Sequence, residues 1–278
     1  MSTSLKTFPT WAVFSLVTNG ILILAVALLL LREQGLTAFL ENVSAPSSVN
    51  YAATNAVVTT TKIRDEPSTG KRRKLNYQQW LDVLKQEAEV AAKNKGKNLN
   101  VFLGDSISLW FPTDLLPEDR TWLNQGISGE TSAGVLKRLN LLDKTQPQKI
   151  FVMIGINDLI RGIDDVKILE NYRQIVDSLR RQHPKTEIVV QSILPHGAEE
   201  ATWEGKDKLI KISNHRIRQL NTELQNIASK AGAKYLDLHR LFTNQEGNLL
   251  NDFTTDGLHL SHEGYIVWRS ALKIFEVY

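Results

Sequence analysis

The stretch Lys149-Ile150-Phe151-Val152-Met153-Ile154-Gly155-Ile156-Asn157-Asp158 decides the fold. Its first part is an unbroken apolar run of strand length, with no alternation of polar and apolar residues. Such a run belongs to a strand buried on both faces, as in the interior of a parallel sheet. A glycine then stops it, and a polar pair follows. Working outward, similar units recur. Leu99-Asn100-Val101-Phe102-Leu103 runs into Gly104-Asp105-Ser106, and Thr121-Trp122-Leu123-Asn124 ends at Gly126. Glu187 to Ile193 is closed by Leu194-Pro195, and Lys234-Tyr235-Leu236-Asp237 is a fifth strand.

Helical periodicity fills the gaps. Asn76 is placed to cap a helix whose Tyr77, Trp80, Leu81, Leu84, Ala88 and Ala91 share one face. Ser132 to Leu142, Val166 to Arg181, Leu209 to Ala231 and His262 to Glu276 also read as helices, with Gly232 at a C-terminal glycine position. Strand and helix alternate throughout, which predicts an α/β domain with a parallel sheet covered on both faces. Active sites in such sheets lie at the carboxyl ends of the strands. Chemistry is therefore expected just after Leu103, Asn124, Ile154, Ile193 and Asp237.

Composition bounds the function. Net charge is only +3, and no basic stripe interleaved with aromatics appears, so nucleic acid is not an expected partner. With no cysteine, disulfides, thiolate metal sites and a cysteine nucleophile are excluded.

The N-terminal part has a different character. Trp11 to Leu31 carries no charge and meets the roughly 20 apolar residues that a bilayer core requires of a helix. It is longer than the apolar core of a signal peptide and ends in Arg32-Glu33 rather than a small-residue cleavage site. The expected organisation is a short segment 1–10, a single transmembrane anchor 11–31, a tether 32–75 and a globular domain 76–278. Gln34 to Thr69 is rich in Ser, Thr, Asn and Ala and cannot bury enough apolar surface to fold. Lys71-Arg72-Arg73-Lys74 is a solvated linker end or a contact for anionic lipid. Lys6 before the run and the sparse charge after it lean towards a catalytic domain on the extracytoplasmic side.

Glycine-flanked polar clusters sit at three strand ends: Gly104-Asp105-Ser106-Ile107-Ser108, Asn124-Gln125-Gly126-Ile127-Ser128-Gly129 and Gly155-Ile156-Asn157-Asp158. A fourth, Asp256-Gly257-Leu258-His259, precedes the last helix. Ser106 alone is better explained as a helix cap. A serine becomes a nucleophile only beside a base, and His259 is an imidazole that can exchange protons near neutrality. Asp256, three residues earlier, can orient that imidazole. Acyl transfer also needs donors for an oxyanion, and the amides of Ser106 and Gly126 and the side chain of Asn157 are candidates. Asp105 and Asp158 read as turn-fixing carboxylates. His196 reads as a pocket-lining or surface residue, and Trp110, Phe111 and Trp203 as an apolar wall or simple packing.

Together the four clusters, in order from about Asn98 to the C-terminus, resemble the SGNH or GDSL-type hydrolases, especially the thioesterase/lysophospholipase and platelet-activating-factor acetylhydrolase-like branch. The resemblance implies a three-layer flavodoxin-like sheet of order 2-1-3-4-5. It also implies Ser106 as nucleophile, Asp256–His259 as base, and Ser106, Gly126 and Asn157 as oxyanion hole, with no metal or organic cofactor. The expected substrate is a small-molecule or lipid ester. A carbohydrate O-acetylesterase or O-acyltransferase is the alternative.

Overall fold

A computed structural model describes residues 75–94 and 98–277. The expected anchor at 11–31, and all of the expected tether but its last residue, lie outside the described residues. Among the described residues no helix is long and apolar enough to cross a membrane.

Helix α1 (Tyr77–Asn94) opens on a reciprocal cap. Asn76 Oδ1 accepts from the Gln79 amide and Gln79 Oε1 accepts from the Asn76 amide, both at 2.9 Å. Two otherwise unsatisfied N–H groups are thereby paired. Five strands follow in alternation with helices: β1 (Leu99–Gly104), β2 (Thr121–Gly126), β3 (Lys149–Met153), β4 (Glu187–Gln191) and β5 (Lys234–Leu236). They form one parallel sheet in the order β2-β1-β3-β4-β5, as the resemblance implies.

Side chains alternate across each strand, so register fixes which residues share a face. Phe102 lies opposite Phe151, and Phe102 also stacks on Trp122 with centroids 4.7 Å apart. Trp268, fully buried on the last helix, packs on this row at 5.4 Å from Phe102 and donates to Gln191 Oε1 at 2.8 Å. That polar handle lets a large ring sit in the core without an orphan N–H. The opposite face is met by α1, whose Leu84 carbonyl accepts from Gln125 Nε2 at 3.1 Å. Removing a buried ring such as Trp268 costs about 3–5 kcal/mol.

The remaining helices differ from expectation at two breaks. Ser132 to Leu142 is not one helix: α-helix Ser132–Lys137 gives way at Arg138 to a 3₁₀ turn, Leu139–Leu142. Leu209 to Ala231 is divided too. A short helix, Lys206–Leu209, is separated from Asn214–Lys230, where Ser213 Oγ accepts from the Arg216 amide at 3.2 Å and starts the second helix. Apolar spacing runs through both breaks, so periodicity alone does not reveal them. In register, Gly104 pairs with both Gly126 and Met153, which brings the ends of β1, β2 and β3 to one edge.

Candidate active site

At that edge β1 turns at once into α2 (Ser106–Leu109), a single helical turn. Asp105 caps it, its Oδ1 accepting from the Ile107 amide at 3.0 Å. Ser106 is the first helical residue, so its own N–H has no intrahelical acceptor. The turn is seated tightly on β2. A Cβ on Gly126 would lie 2.5 Å from Leu109 N and 2.8 Å from the Asp105 carbonyl, so only glycine permits the approach. From the far end of the chain, Tyr265 donates its hydroxyl proton to the Ile107 carbonyl at 2.8 Å.

Asp105 is fully buried, and burial pushes its carboxyl up to about 7, against the lowering effect of the Ile107 amide. A raised folded-state pKa means the folded protein holds this proton more tightly than the unfolded chain. The associated stability is complete below about pH 4 and is lost as pH rises through about 7. Asp105→Asn keeps the cap oxygen and removes the charge. It is expected to stabilise the protein at pH 8 by roughly 1–3 kcal/mol and to flatten the stability profile between pH 4 and 7, as read by denaturant melts across that range.

The loop before the last helix supplies the second cluster. Asp256 Oδ1 accepts from the Leu258 and His259 amides at 2.9 and 2.8 Å, while Oδ2 meets His259 Nδ1 at 2.8 Å. Burial opposes ionisation of Asp256, but the bond to the His259 side chain and those two amides outweigh it and hold the carboxyl below its usual range. Asp256 thus stays ionised and fixes the Nδ1–H tautomer, leaving Nε2 as the basic nitrogen. The loop is braced from behind. Thr202 and Trp203 amides donate to the Asp256 carbonyl, at 2.8 and 2.9 Å, and the Gly197 amide to the Gly257 carbonyl at 2.7 Å. Gly257 has φ +85°, and a Cβ there would strike Ala201 at 2.5 Å.

Trp110, one turn beyond Ser106, carries the two clusters together. Its ring lies 4.3 Å from the His259 ring, centroid to centroid. Neither Ser106 Oγ nor His259 Nε2 has a hydrogen-bond partner among the described residues.

The expected oxyanion donors fare differently. Asn157 follows Gly155 at the end of β3, and its Nδ2 is buried with no partner among the described residues. Gly126 requires correction. Its amide donates to Asn124 Oδ1 at 3.0 Å, so it is already occupied, and the glycine is there for the close seat of α2. Three residues on, Gly129 has φ +74° and an amide without an acceptor among the described residues, while Arg161 Nη2 holds its carbonyl at 2.6 Å. The sequence block contains both glycines, and only the hydrogen-bond pattern separates them.

Asp158 is a brace, as expected: its oxygens take the Ser132 amide at 2.8 Å and the Ser132 hydroxyl at 2.6 Å. That fixes the loop after β2 to the loop after β3. His196 does not face solvent. It is buried, with Nε2 donating to the Ile212 carbonyl at 2.6 Å and Nδ1 accepting from the Ala198 amide at 3.1 Å. Phe111 is core packing against Tyr265 and Trp268, whereas Trp110 stays 44 % exposed beside His259. Among the described residues no cluster of ligating side chains suits a metal ion.

A hydroxyl at a sharp strand-to-helix turn, an imidazole–carboxylate pair and a side-chain amide without a partner among the described residues lie at the carboxyl edge of a 2-1-3-4-5 sheet, the architecture of a flavodoxin-like domain. The comparisons give the family. Residues 102–267 match the GDSL-like Lipase/Acylhydrolase family, and the chain belongs to it. Among solved structures, a candidate platelet activating factor from Streptococcus pneumonia is 30% identical, with a TM-score of 0.60 over 71% of this chain and 96% of that one. A GDSL-like lipase from Bacteroides thetaiotaomicron, 21% identical, shares the fold with a TM-score of 0.57 over 70% of this chain and 96% of that one. The isoamyl acetate-hydrolyzing esterase of Saccharomyces cerevisiae is 24% identical over 56% of this chain and 69% of its own. N-acylneuraminate cytidylyltransferases of Streptococcus agalactiae match at 26% identity over 63% of this chain, which spans only 38% of their length.

Proposed function

We propose that the protein is a serine esterase that cleaves carboxylic esters or thioesters through an acyl-enzyme on Ser106. The observation that carries the reading is the buried, unpartnered Asn157 Nδ2 at the strand end next to Ser106. Leaving a buried donor unsatisfied costs about 1–3 kcal/mol, and an oxyanion bound there would recover it at the moment of reaction. Ser106 attacks the carbonyl carbon as His259 Nε2 takes its proton. The Ser106 amide, the Gly129 amide and Asn157 Nδ2 hold the developing oxyanion. His259 then protonates the leaving group, and water repeats the sequence to release the acid. A p-nitrophenyl ester and acyl-thioester chain-length series, run on residues 71–278, tests this reading. Saturable turnover of at least one ester supports it, and no turnover of any contradicts it.

Asn157→Ala should lower kcat by about 10²–10³ and leave KM within a few-fold, since the amide acts on the oxyanion rather than the ground-state carbonyl. Steady-state kinetics on the best ester of the series checks this.

A second reading keeps the site and changes the acceptor. Relatives named for N-acylneuraminate, an acylated sugar acid, match 63% of this chain. That favours a carbohydrate O-acetyl ester as substrate, or a sugar hydroxyl as acyl acceptor. Product analysis with and without added sugar separates them, because a hydrolase releases only free acid. We further propose that Trp11 to Leu31 anchors the chain in a membrane, with the domain on the extracytoplasmic side. Retention of the full chain in carbonate-washed membranes and release of the domain by external protease is the expected result.

A further inference from the structure

The break at Arg138 has a consequence for the oxyanion hole. Helix α3 (Ser132–Lys137) ends there, and Arg138 leaves helical geometry with φ −113°. Its side chain turns inward and is 4 % exposed. The Nε donates to Glu130 Oε2 at 3.0 Å and Nη2 donates to the Gly104 carbonyl at 3.2 Å, while Nη1 is buried without a partner among the described residues. Glu130 is equally buried, its Oε1 accepting from the Thr131 amide at 3.1 Å and its Oε2 also from the Tyr77 hydroxyl at 3.2 Å. Gly134 leaves the room for it, since a Cβ there would fall 1.8 Å from Glu130 Oε1.

The two anchor points flank the oxyanion donors. The Gly104 carbonyl lies two residues before Ser106 and also accepts from the Ile127 amide at 3.2 Å. Glu130 directly follows Gly129. One planar guanidinium therefore ties the peptide ahead of the nucleophile to the residue after the glycine, in a fixed fork that an ammonium cannot reproduce. Burying an ion pair is a poor route to stability, because desolvation offsets the attraction. A pair of apolar or neutral side chains would fill this space as well.

We propose that Arg138 is a positioning residue that sets the separation of the Ser106 and Gly129 amides and so tunes the oxyanion hole. The inference rests on the esterase reading above. Arg138 touches no reacting atom; it acts through the Gly104 carbonyl and Glu130. A misplacement of about 1 Å at such a hole is worth about 100-fold in rate.

The test compares wild type, Arg138→Lys and the double variant Glu130→Gln/Arg138→Met, in which no buried charge is left alone. Steady-state kinetics on a p-nitrophenyl ester are joined to affinity for a boronic acid, which adds to a serine Oγ as a tetrahedral anion. The double variant is expected to unfold cooperatively near the wild-type temperature. Its kcat should fall about 100-fold with KM within about threefold, and boronate affinity should fall with kcat rather than with KM. Arg138→Lys should show the same split. Either folded variant with kcat and boronate affinity within about threefold of wild type overturns the proposal. So does a fall in activity that tracks only the fraction unfolded. A wild-type protein that turns over no ester sinks the esterase reading itself, whereas an active wild type with equally active variants sinks only the role of Arg138.

Discussion

Ser106→Ala is expected to abolish ester turnover, lowering kcat by about four to six orders of magnitude. The size follows from the mechanism: without the hydroxyl there is no acyl-enzyme, and what remains is the electrostatic help of the oxyanion donors to direct attack by water. The fold should be untouched. The cap of α2 is Asp105, not Ser106, and the Ser106 hydroxyl holds no partner among the described residues. Circular dichroism and a melting curve matching wild type, together with loss of turnover, make up the expected result. Retained turnover would assign the chemistry to another group.

Asp256→Asn should come next in size, at about 10⁴ in kcat. The carboxylate has two tasks, and the substitution separates them. Oδ1 shapes the loop by accepting from the Leu258 and His259 amides, and an asparagine oxygen can still do that. Oδ2 accepts a hydrogen bond from His259 Nδ1 at 2.8 Å. An amide NH₂ in that place donates instead, forces the proton onto Nε2, and leaves the imidazole unable to accept from Ser106. The loop should therefore keep its shape while the base is disabled. A loss of less than about tenfold would show that Asp256 serves the loop alone.

Much of this arrangement is legible in the sequence, for a physical reason. Strands buried on both faces must be apolar throughout, so Ile150 to Ile154 and Val101 to Leu103 announce themselves. Parallel strands place their loops on one edge, so the polar clusters after them fall together. Strand order follows from the resemblance rather than from periodicity. What was hidden depends on hydrogen bonds that leave no trace in spacing. Gly126 and Gly129 share one short block, and only the acceptor Asn124 Oδ1 shows that the first amide is occupied. Arg138 falls inside the helix expected over Ser132 to Leu142, where a basic residue draws no notice, yet it is buried at the end of the shorter helix. His196 stands at a strand end like the functional residues, and its burial between Ile212 and Ala198 makes it a structural one. Trp110 gave the same signal as Phe111, its neighbour; one faces His259 and the other the core because adjacent side chains on a turn diverge.

Covalent labelling asks whether Ser106 is a nucleophile activated by His259 and Asp256, as proposed above. The protein is treated with a fluorophosphonate, and the adduct is located by intact mass and peptide mapping. A single adduct on Ser106, formed much more slowly in Asp256→Asn, is the expected result. An unlabelled protein, or an adduct on any other residue, would contradict the account.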